Sequence, residues 1–290
     1  MYISDKWTDY ELLDTNLGKK LERWNKYVLV RPDPQVIWSS SQMQNEWNSA
    51  DAVYTRSESG GGSWNFRRSI PEKWQLKYHP LDLTFNIKPM GFKHTGLFPE
   101  QAVNWEWFYK LISDAGRPIK VLNLFAYTGG ATLAAAKAGA SVTHVDASKG
   151  VVAQARENAE SSGLSDKPIR WIIDDCRKFT EREIRRENYY DAIIMDPPSF
   201  GRGPTGEEWK LEENIDELVK TAVGVLSDKP LFFLINSYTK GLSASTIGYI
   251  LSLRMQKKYG GRTDFSEIGL PVTSTGLVLP CGSSARWTAE

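Results

Sequence analysis

The residues best suited to chemistry lie where short apolar runs end. The most distinctive of them form the run Asp196-Pro-Pro-Ser-Phe200, which directly follows the predicted strand 191–195. Because proline lacks an N–H donor and has a fixed φ, the two prolines end a strand in a rigid turn. Asp196 and the Pro197 carbonyl can accept from an amino group on a planar base, and Phe200 can stack against that base. We therefore predict that Asp196, Pro197, Pro198 and Phe200 orient an amino nitrogen for reaction. The alternative is a rigid loop in which Asp196 is a cap.

A second chemical signal lies between Val121 and Ala138. The apolar run 121–125 leads to Gly129 and Gly130, and an alanine-rich helical pattern follows. The N-terminus of a helix attracts anions because its first N–H groups lack partners and the helix dipole is positive there. The turn has neither the Gly-x-Gly-x-x-Gly of a dinucleotide site nor the Gly-Lys-Ser/Thr of a phosphate loop. It therefore favours a smaller anion, such as an amino-acid carboxylate, and S-adenosylmethionine combines that carboxylate with a ribose.

Two more predicted strand ends supply carboxylates that suit the rest of this ligand. Asp146 ends the run 141–146 and can accept from both ribose hydroxyls, although Asp146 and Ser148 also precede a helix and one can be its cap. Asp175 can accept from the adenine amino group while the backbone N–H of Cys176 donates to the ring. No base for a reactive Cys176 thiol is identifiable nearby, so a small buried cysteine is the preferred interpretation.

The predicted cofactor site also reaches outside these strand ends. Phe98 and Gln101, at the start of a predicted helix over 101–115, can form one wall of the pocket; the alternative is a simple connector. We predict no metal site, since no Cys/His spacing resembles a zinc site. The predicted cofactor-binding residues are Phe98, Gln101, Phe125, Ala126, Tyr127, Thr128, Gly129, Asp146, Ala147, Asp175, Cys176 and Asp196.

From residue 121 onward, predicted strands and helices alternate, which is typical of a parallel sheet with helices on both faces. In such a sheet, ligands bind beyond the carboxyl ends of the strands. The predicted strands are 121–125, 141–146, 169–173, 191–195 and 231–235, with a terminal antiparallel pair at 265–270 and 276–279. The predicted helices are 131–138, 150–162, 180–187, 214–226 and 246–259.

The N-terminal part is predicted to form a separate β-rich module over 1–89, followed by a catalytic domain over 90–290. The expected strands of the N-terminal module are 27–30, 76–79 and 83–88. The glycine cluster within 56–68 predicts an exposed flexible loop in which arginines alternate with Trp64 and Phe66. Arginines contact phosphates and aromatic rings stack on unpaired bases, so this loop is a candidate RNA contact. The alternative is a hairpin loop whose aromatic residues anchor it to the core.

Composition limits the class of protein. With 290 residues, 41% of them hydrophobic and 24% charged, the chain is expected to be a water-soluble protein of one large or two modest domains. No apolar run approaches the roughly 20 residues that cross a bilayer, and the N-terminus does not resemble a signal peptide. Two cysteines fit a reducing cytoplasm better than a disulfide framework. A net charge of +1 neither predicts nor excludes a polyanionic partner, because a local basic patch can suffice.

Residues 121–201 resemble a class I S-adenosylmethionine-dependent methyltransferase, whose motif positions are occupied by 123–130 (Asn-Leu-Phe-Ala-Tyr-Thr-Gly-Gly), Asp146, Asp175 and 196–200. The runs 95–101 and 196–200 are similar to bacterial ribosomal RNA large-subunit methyltransferases of the cytosine-C5 and guanine-N7 kind. The resemblance covers the last two-thirds of the chain well and the N-terminal module loosely. It implies a Rossmann-like seven-stranded sheet of order 3-2-1-4-5-7-6 with an antiparallel last strand. It also implies an RNA substrate, held in part by the small β-rich domain, and is compatible with a homodimer.

One departure from the family pattern bears on the reaction. In the family, a cytosine-C5 enzyme carries a cysteine after the fifth strand, whereas here that strand leads into Asn236-Ser-Tyr238, and Cys281 lies in the C-terminal hairpin. The sequence therefore favours methylation of a ring or exocyclic nitrogen of RNA over cytosine-C5 methylation. Asn236 and Tyr238 either line the substrate pocket or are plain strand-end residues. The glycine-rich run 200–209 predicts a mobile flap, in which Arg202 either contacts a phosphate or is an exposed loop arginine.

Three other functions fit parts of the sequence. A nicotinamide-dependent oxidoreductase shares the strand–glycine–helix unit and the ribose acid, but the third glycine is missing and the run 196–200 has no use there. A catalytically silent RNA-binding module would bind RNA without binding S-adenosylmethionine. A methyltransferase with a small-molecule or protein substrate stays open because the net charge is close to zero.

Overall fold

The computed structural model describes residues 1–40, 42–57, 61–91, 93–202 and 208–289. The chain divides into two compact units. The larger unit consists of Met1–Tyr2, Asn104–Ile268 and Gly282–Glu290. The smaller unit consists of Ile3–Val103 and Gly269–Cys281, so it combines the N-terminal part of the chain with the tip of the last hairpin.

The elements of the described residues are as follows. The strands are β1 Tyr2–Ile3, β2 Tyr10–Asn16, β3 Lys19–Trp24, β4 Tyr27–Pro32, β5 Ala52–Arg56, β6 Gly62–Phe66, β7 Trp74–Tyr78, β8 Leu83–Ile87, β9 Lys120–Leu124, β10 Ser141–Asp146, β11 Ile169–Ile173, β12 Ala192–Met195, β13 Phe200–Arg202, β14 Glu208–Lys210, β15 Phe232–Ser237, β16 Arg262–Pro271 and β17 Val278–Thr288. The α-helices are α1 Gln44–Ser49, α2 Ala102–Asp114, α3 Gly130–Lys137, α4 Lys149–Ser161, α5 Cys176–Arg185, α6 Leu211–Val223 and α7 Ala244–Tyr259, with short 3-10 helices at His79–Leu81 and Pro99–Gln101. Over the part of the chain that the structure describes, no helix combines the length and apolar character needed to cross a membrane.

The larger unit is built on a sheet with the strand order β1-β16-β17-β15-β12-β9-β10-β11. The five strands from β15 to β11 run parallel, and β17 pairs antiparallel with β15. Read from β11 to β16 and renumbered in chain order from β9 as strand 1, this is the expected order 3-2-1-4-5-7-6. The two-residue β1 is added beside β16. The Rossmann-like fold class and the antiparallel last strand are confirmed.

The central strands are buried on both faces, as expected for a parallel sheet covered by helices. Every residue of β12 and of β15 is buried. Helix α6 covers this sheet with apolar residues spaced three or four apart, which places them on one side of the helix. Those that are buried in the core are Leu211, Ile215, Leu218, Val219, Ala222 and Val223. The packed core fixes the strands, so that the segments at their ends hold defined positions.

The smaller unit contains a five-stranded sheet of order β2-β3-β4-β5-β6 and a separate β7-β8 pair. The antiparallel pairing of β7 with β8 confirms the expected strand pair. The sequence does not predict the β2-β3 hairpin. A bulge between Leu12 and Asp14 interrupts the alternation of inward and outward residues from which a strand is predicted.

Two predicted boundaries are wrong. The segment 56–68 is not a loop throughout, because β5 and β6 pair antiparallel, and Trp64 and Phe66 both belong to a strand; the glycine at position 60 lies outside the described residues. Helix α5 begins at Cys176 rather than at Thr180. It begins early because the side chain of the preceding residue caps it.

A buried ion pair lies inside the smaller unit. Arg31 donates to both oxygens of Glu22, from Nε at 2.6 Å and from Nη2 at 2.8 Å, and the Tyr10 hydroxyl donates to Glu22 at 2.8 Å. Lys20 Nζ lies 3.4 Å from the same carboxylate. Burial would raise the pKa of Glu22, but the charges of Arg31 and Lys20 outweigh it and lower the pKa to about 2. The pair therefore stabilises the fold only while Glu22 is ionised.

We expect Glu22→Gln to lower the free energy of unfolding by about 3–5 kcal/mol at neutral pH, because it leaves the buried Arg31 without its carboxylate. The effect is measured by denaturant unfolding. Since the folded pKa is depressed, the stabilisation is complete above the ordinary pKa of 4.5 and is lost as the pH falls toward about 2. The matched control is Glu11→Gln, whose half-exposed pair with Arg23 is worth about 0–1 kcal/mol. An equal effect of both substitutions contradicts this account.

Candidate cofactor and substrate site

The strand register brings the predicted site residues of the larger unit to one edge of the sheet. Leu124 of β9 lies opposite Val145 of β10 and Met195 of β12, so the next residue of each strand begins the same edge. Asp146 lies opposite Ile173 of β11. Since these four strands are parallel, this edge is formed by their carboxyl ends, where open α/β sheets bind ligands.

The turn after β9 has an unusual backbone. Phe125 and Tyr127 have φ values of 55° and 50°, and Gly129 has a φ of 89°. Positive φ at a non-glycine residue is strained, and such strain is concentrated at functional sites. The sequence locates this turn from its glycines but does not predict the left-handed residues at 125 and 127.

Contacts hold this turn in place. Tyr127 N donates to the Asp146 carboxylate at 3.0 Å, and Ala126 N donates to the Val145 carbonyl at 3.1 Å. The Thr128 carbonyl accepts from the buried Asn158 side chain at 2.9 Å. Helix α3 then begins at Gly130, where an added Cβ would lie 2.5 Å from the Trp105 ring. The second glycine is thus required by close packing, and the turn ends on the positive pole of α3.

Asp146 is arranged as a hydrogen-bond acceptor. One carboxylate oxygen accepts from Tyr127 N at 3.0 Å and the other from Ser148 N at 2.9 Å. The cap of α4 is Ser148, which accepts from Val151 N, so Asp146 is not that cap. Each carboxylate oxygen has a second lone pair that can take a ribose hydroxyl. Burial raises the pKa of Asp146, although the two N–H donors act against this rise.

The end of β11 presents a carboxylate and a helix N-terminus. Asp175 accepts from Lys178 N at 2.8 Å and caps α5, whereas Asp174 pairs with Arg182. Cys176 is the first residue of α5, so its N–H belongs to a turn that has no intrahelical acceptor. An adenine ring can meet such an N–H at its ring nitrogen and the Asp175 carboxylate at its amino group. This role for Asp175 and Cys176 stays a prediction.

The Cys176 side chain belongs to the core and not to the chemistry. It is buried, and its sulfur accepts from Phe125 N at 3.1 Å, which ties α5 to the turn after β9. Burial raises the pKa of the Cys176 thiol well above its ordinary range. The thiolate needed for nucleophilic attack is therefore strongly disfavoured.

The Asp-Pro-Pro turn follows β12 directly. Pro197 is buried, while Pro198 is exposed and its carbonyl accepts from Trp209 Nε1 at 2.8 Å. The chain then forms a two-stranded ribbon, in which Phe200 pairs with Lys210 and is 53% exposed. Asp196 and the Pro197 carbonyl therefore lie at the same sheet edge as the turn after β9. Their catalytic role, with that of Pro198 and Phe200, stays a prediction.

Other predicted site residues are outside this edge. Phe98 and Gln101 belong to the smaller unit, where Gln101 is buried. The ring centroids of Phe98 and His94 are 5.4 Å apart. Their part in a cofactor pocket stays a prediction. The predicted flap falls largely on residues 203–207, and these, with the side chain of Arg202, lie outside the described residues.

Comparison with known proteins identifies the family. A family model described as S-adenosylmethionine-dependent methyltransferase matches residues 62–219, which is more than half of the chain. The crystal structure of the SAM-dependent methyltransferase from Agrobacterium tumefaciens is 37% identical, with a TM-score of 0.92 over 99% of this chain and 93% of that one. The chain belongs to the S-adenosylmethionine-dependent methyltransferase family. The expected enzyme class and its cofactor, S-adenosylmethionine, are confirmed.

Relatives of known name are ribosomal RNA enzymes. The chain is 32% identical over 168 residues to the ribosomal RNA large subunit methyltransferase K/L of Shewanella frigidimarina, which covers 57% of this chain and 23% of the relative. It is 35% identical over 148 residues to the protein of the same name from Shewanella loihica, which covers 51% of this chain and 20% of that relative. The chain thus spans about a quarter of the length of these relatives. A Streptococcus mutans structure at 18% identity and a TM-score of 0.75 shares the fold.

We expect Asp146→Ala to weaken S-adenosylmethionine binding at least about 10-fold, because two ribose hydrogen bonds to a charged group are lost. Isothermal titration calorimetry measures this, with Asp166→Ala, an exposed acid before β11, as control. Since Asp146 accepts freely through both oxygens only when ionised and burial raises its pKa, wild-type affinity should fall on acidification earlier than for an ordinary aspartate. Equal affinities of wild type and Asp146→Ala contradict the ribose assignment.

Proposed function

We propose that this protein transfers the methyl group of S-adenosylmethionine to a nitrogen of a base in large-subunit ribosomal RNA, in the cytoplasm. The observation that carries the proposal is the register of β9 with β12. It puts Asp196 and the Pro197 carbonyl beside the left-handed turn that begins at Phe125. A group that receives an amino nitrogen is then adjacent to a group suited to an amino-acid carboxylate.

The residues fit the methyl donor. When bound, S-adenosylmethionine supplies a methyl group on an already activated sulfonium. The start of α3, at Gly130, suits its carboxylate, Asp146 offers acceptors to its ribose, and Asp175 with Cys176 N offers a complement to its adenine. No strong protein nucleophile is needed for an amino or ring nitrogen. The protein contributes alignment and exclusion of water.

The base is held by acceptors. Asp196 and the Pro197 carbonyl would accept from its amino group and hold the nitrogen toward the bound methyl donor. S-adenosylmethionine would supply the methyl group and leave as S-adenosylhomocysteine, and an amino nitrogen that receives the methyl group would release one proton. Phe200, at the start of the β13-β14 ribbon, is exposed enough to cover the ring. A base in a stacked stem has to be unstacked first.

Nitrogen methylation is favoured over the cytosine-C5 alternative. C5 chemistry requires a thiolate to attack the base, and β15 ends in Asn236 and Ser237. Both cysteines of the chain are buried, and burial raises the pKa of the Cys176 and Cys281 thiols. Family membership likewise favours methyl transfer over the nicotinamide-dependent oxidoreductase.

An RNA substrate is supported by two observations. The relatives named above are ribosomal RNA methyltransferases. In the smaller unit, Phe66 is 50% exposed and lines an open pocket of about 210 Å³ together with Arg68 and Pro71. An aromatic face beside an arginine suits an unpaired base and its phosphate. Trp64 is instead anchored, since its Nε1 donates to the Met90 carbonyl at 2.8 Å, so we assign RNA contact within the module 1–89 to Phe66 and Arg68.

We expect wild-type protein to transfer tritiated methyl groups to an unmodified large-subunit ribosomal RNA transcript. Asp196→Asn should lower this transfer about 100-fold, because an amide nitrogen in place of an acceptor misaligns the base. The control is Glu208→Gln, which removes an exposed charge from the neighbouring ribbon and should leave the rate unchanged. Protein that binds S-adenosylmethionine but labels no RNA contradicts the proposed substrate. That result would favour a protein or small-molecule substrate instead.

A further inference from the structure

A buried polar network in the larger unit is not explained by cofactor binding. Asn104 of α2 accepts from Arg286 Nε at 2.9 Å and from Nη2 at 2.6 Å through its Oδ1. Its Nδ2 donates to Asn236 Oδ1 at 3.1 Å and to Ser284 Oγ at 3.0 Å. The Ser284 hydroxyl donates in turn to Asn236 Oδ1 at 2.5 Å. Four side chains from α2, β15 and β17 thus form one connected set.

The arginine fixes the direction of every hydrogen bond in this network. A guanidinium has only donors, so Arg286 must face the Oδ1 of Asn104. The Nδ2 of Asn104 then points at Asn236 and Ser284, which obliges Asn236 to receive it with Oδ1. The Asn236 amide therefore has its acceptor turned into the protein and its donor, Nδ2, on the other side.

Asn236 lies at the proposed reaction edge. Ile235 of β15 lies opposite Met195 of β12, so Asn236 follows at the level of Asp196. Asn236 is 2% exposed, so a hydrogen bond that it makes there is sheltered from water.

The network is costly to bury. Arg286 is 8% exposed, and burial lowers its pKa to about 10. The ring centroids of Tyr2 and Trp107 lie 3.8 Å and 4.9 Å from its guanidinium carbon. These cation–π contacts offset part of the cost of burying its charge. An apolar residue at this position would avoid the cost of desolvating a charge. The arginine therefore has a use beyond packing, and fixing the Asn236 amide is the use that the contacts indicate.

We propose that Asn236 Nδ2 donates to an acceptor on the target base, and that Asn104 and Arg286 are positioning residues that hold the amide in this orientation. The inference rests on the proposed function. With Asp196 and Pro197 accepting from an amino group, the site then requires a base that presents an amino group near a ring-nitrogen or carbonyl acceptor. Adenine, cytosine and guanine have such edges, and uracil has no amino group.

The substitution Asn104→Asp isolates the positioning role. The introduced carboxylate keeps both hydrogen bonds to Arg286 but has no donor for Asn236. The Asn236 amide then gains by turning over, so that its Nδ2 faces the introduced carboxylate and its Oδ1 faces the base. The reaction edge presents an acceptor where the base needs a donor, while the strand and the cofactor contacts are unchanged.

The test measures kcat/KM for methyl transfer to a large-subunit ribosomal RNA transcript, with S-adenosylmethionine affinity and melting temperature determined for every variant. Asn236→Ala should lower kcat/KM about 10-fold or more, because a sheltered hydrogen bond is lost. Asn104→Asp should lower it comparably without weakening cofactor binding. In the Asn236→Ala background, Asn104→Asp should have no further effect, since both act through one amide. Ser284→Ala removes one hydroxyl and should lower kcat/KM less than Asn236→Ala or Asn104→Asp does.

Three results overturn the inference while the proposed function stands: variants as active as wild type, losses that multiply in the double variant, or losses that follow cofactor affinity or melting temperature. A methylated uridine in the wild-type product also overturns it. Wild-type protein that binds S-adenosylmethionine but labels no RNA is a different result, because it removes the proposed function and the inference with it.

Discussion

The site depends on the register of five parallel strands. Hydrogen bonds between β15, β12, β9, β10 and β11 fix which residues stand at one level, and the buried apolar side chains of these strands prevent a slip. A shift by one residue would move every side chain of a strand to the opposite face of the sheet. Because the register is fixed, the residues that follow each strand arrive together at one edge, although they are far apart in the sequence.

Strained and polar groups that are costly to fold lie at this edge and in the neighbouring strand β17. Phe125 and Tyr127 adopt left-handed conformations, Asp146 is partly buried with a raised pKa, and Arg286 is buried with a lowered pKa. Each of these features opposes stability by itself, and the well-packed sheet beneath them holds them in place. Pre-formed donors and acceptors suit methyl transfer, because the reaction depends on alignment and needs no strong nucleophile.

Much of this architecture follows from local sequence. The strand 141–146 has the predicted bounds, because it lies between clear turn signals. Features set by distant residues were not predictable. The φ values of Phe125 and Tyr127 depend on contacts to Cys176 and Asp146, and the Asn104–Arg286 pair joins residues 182 positions apart. The start of α5 depends on the Asp175 cap, a role that the sequence does not separate from the predicted adenine contact.

Deuterium exchange measured by mass spectrometry, with and without S-adenosylhomocysteine, tests most directly whether the carboxyl edge is the cofactor site. Slowed exchange is expected at 125–130, 146–150 and 174–178, because the ligand covers these segments at the carboxyl edge. The opposite edge, at 139–141 and 163–168, should exchange at the same rate in both states. Protection confined to that opposite edge, or no protection at a saturating concentration, would contradict the account.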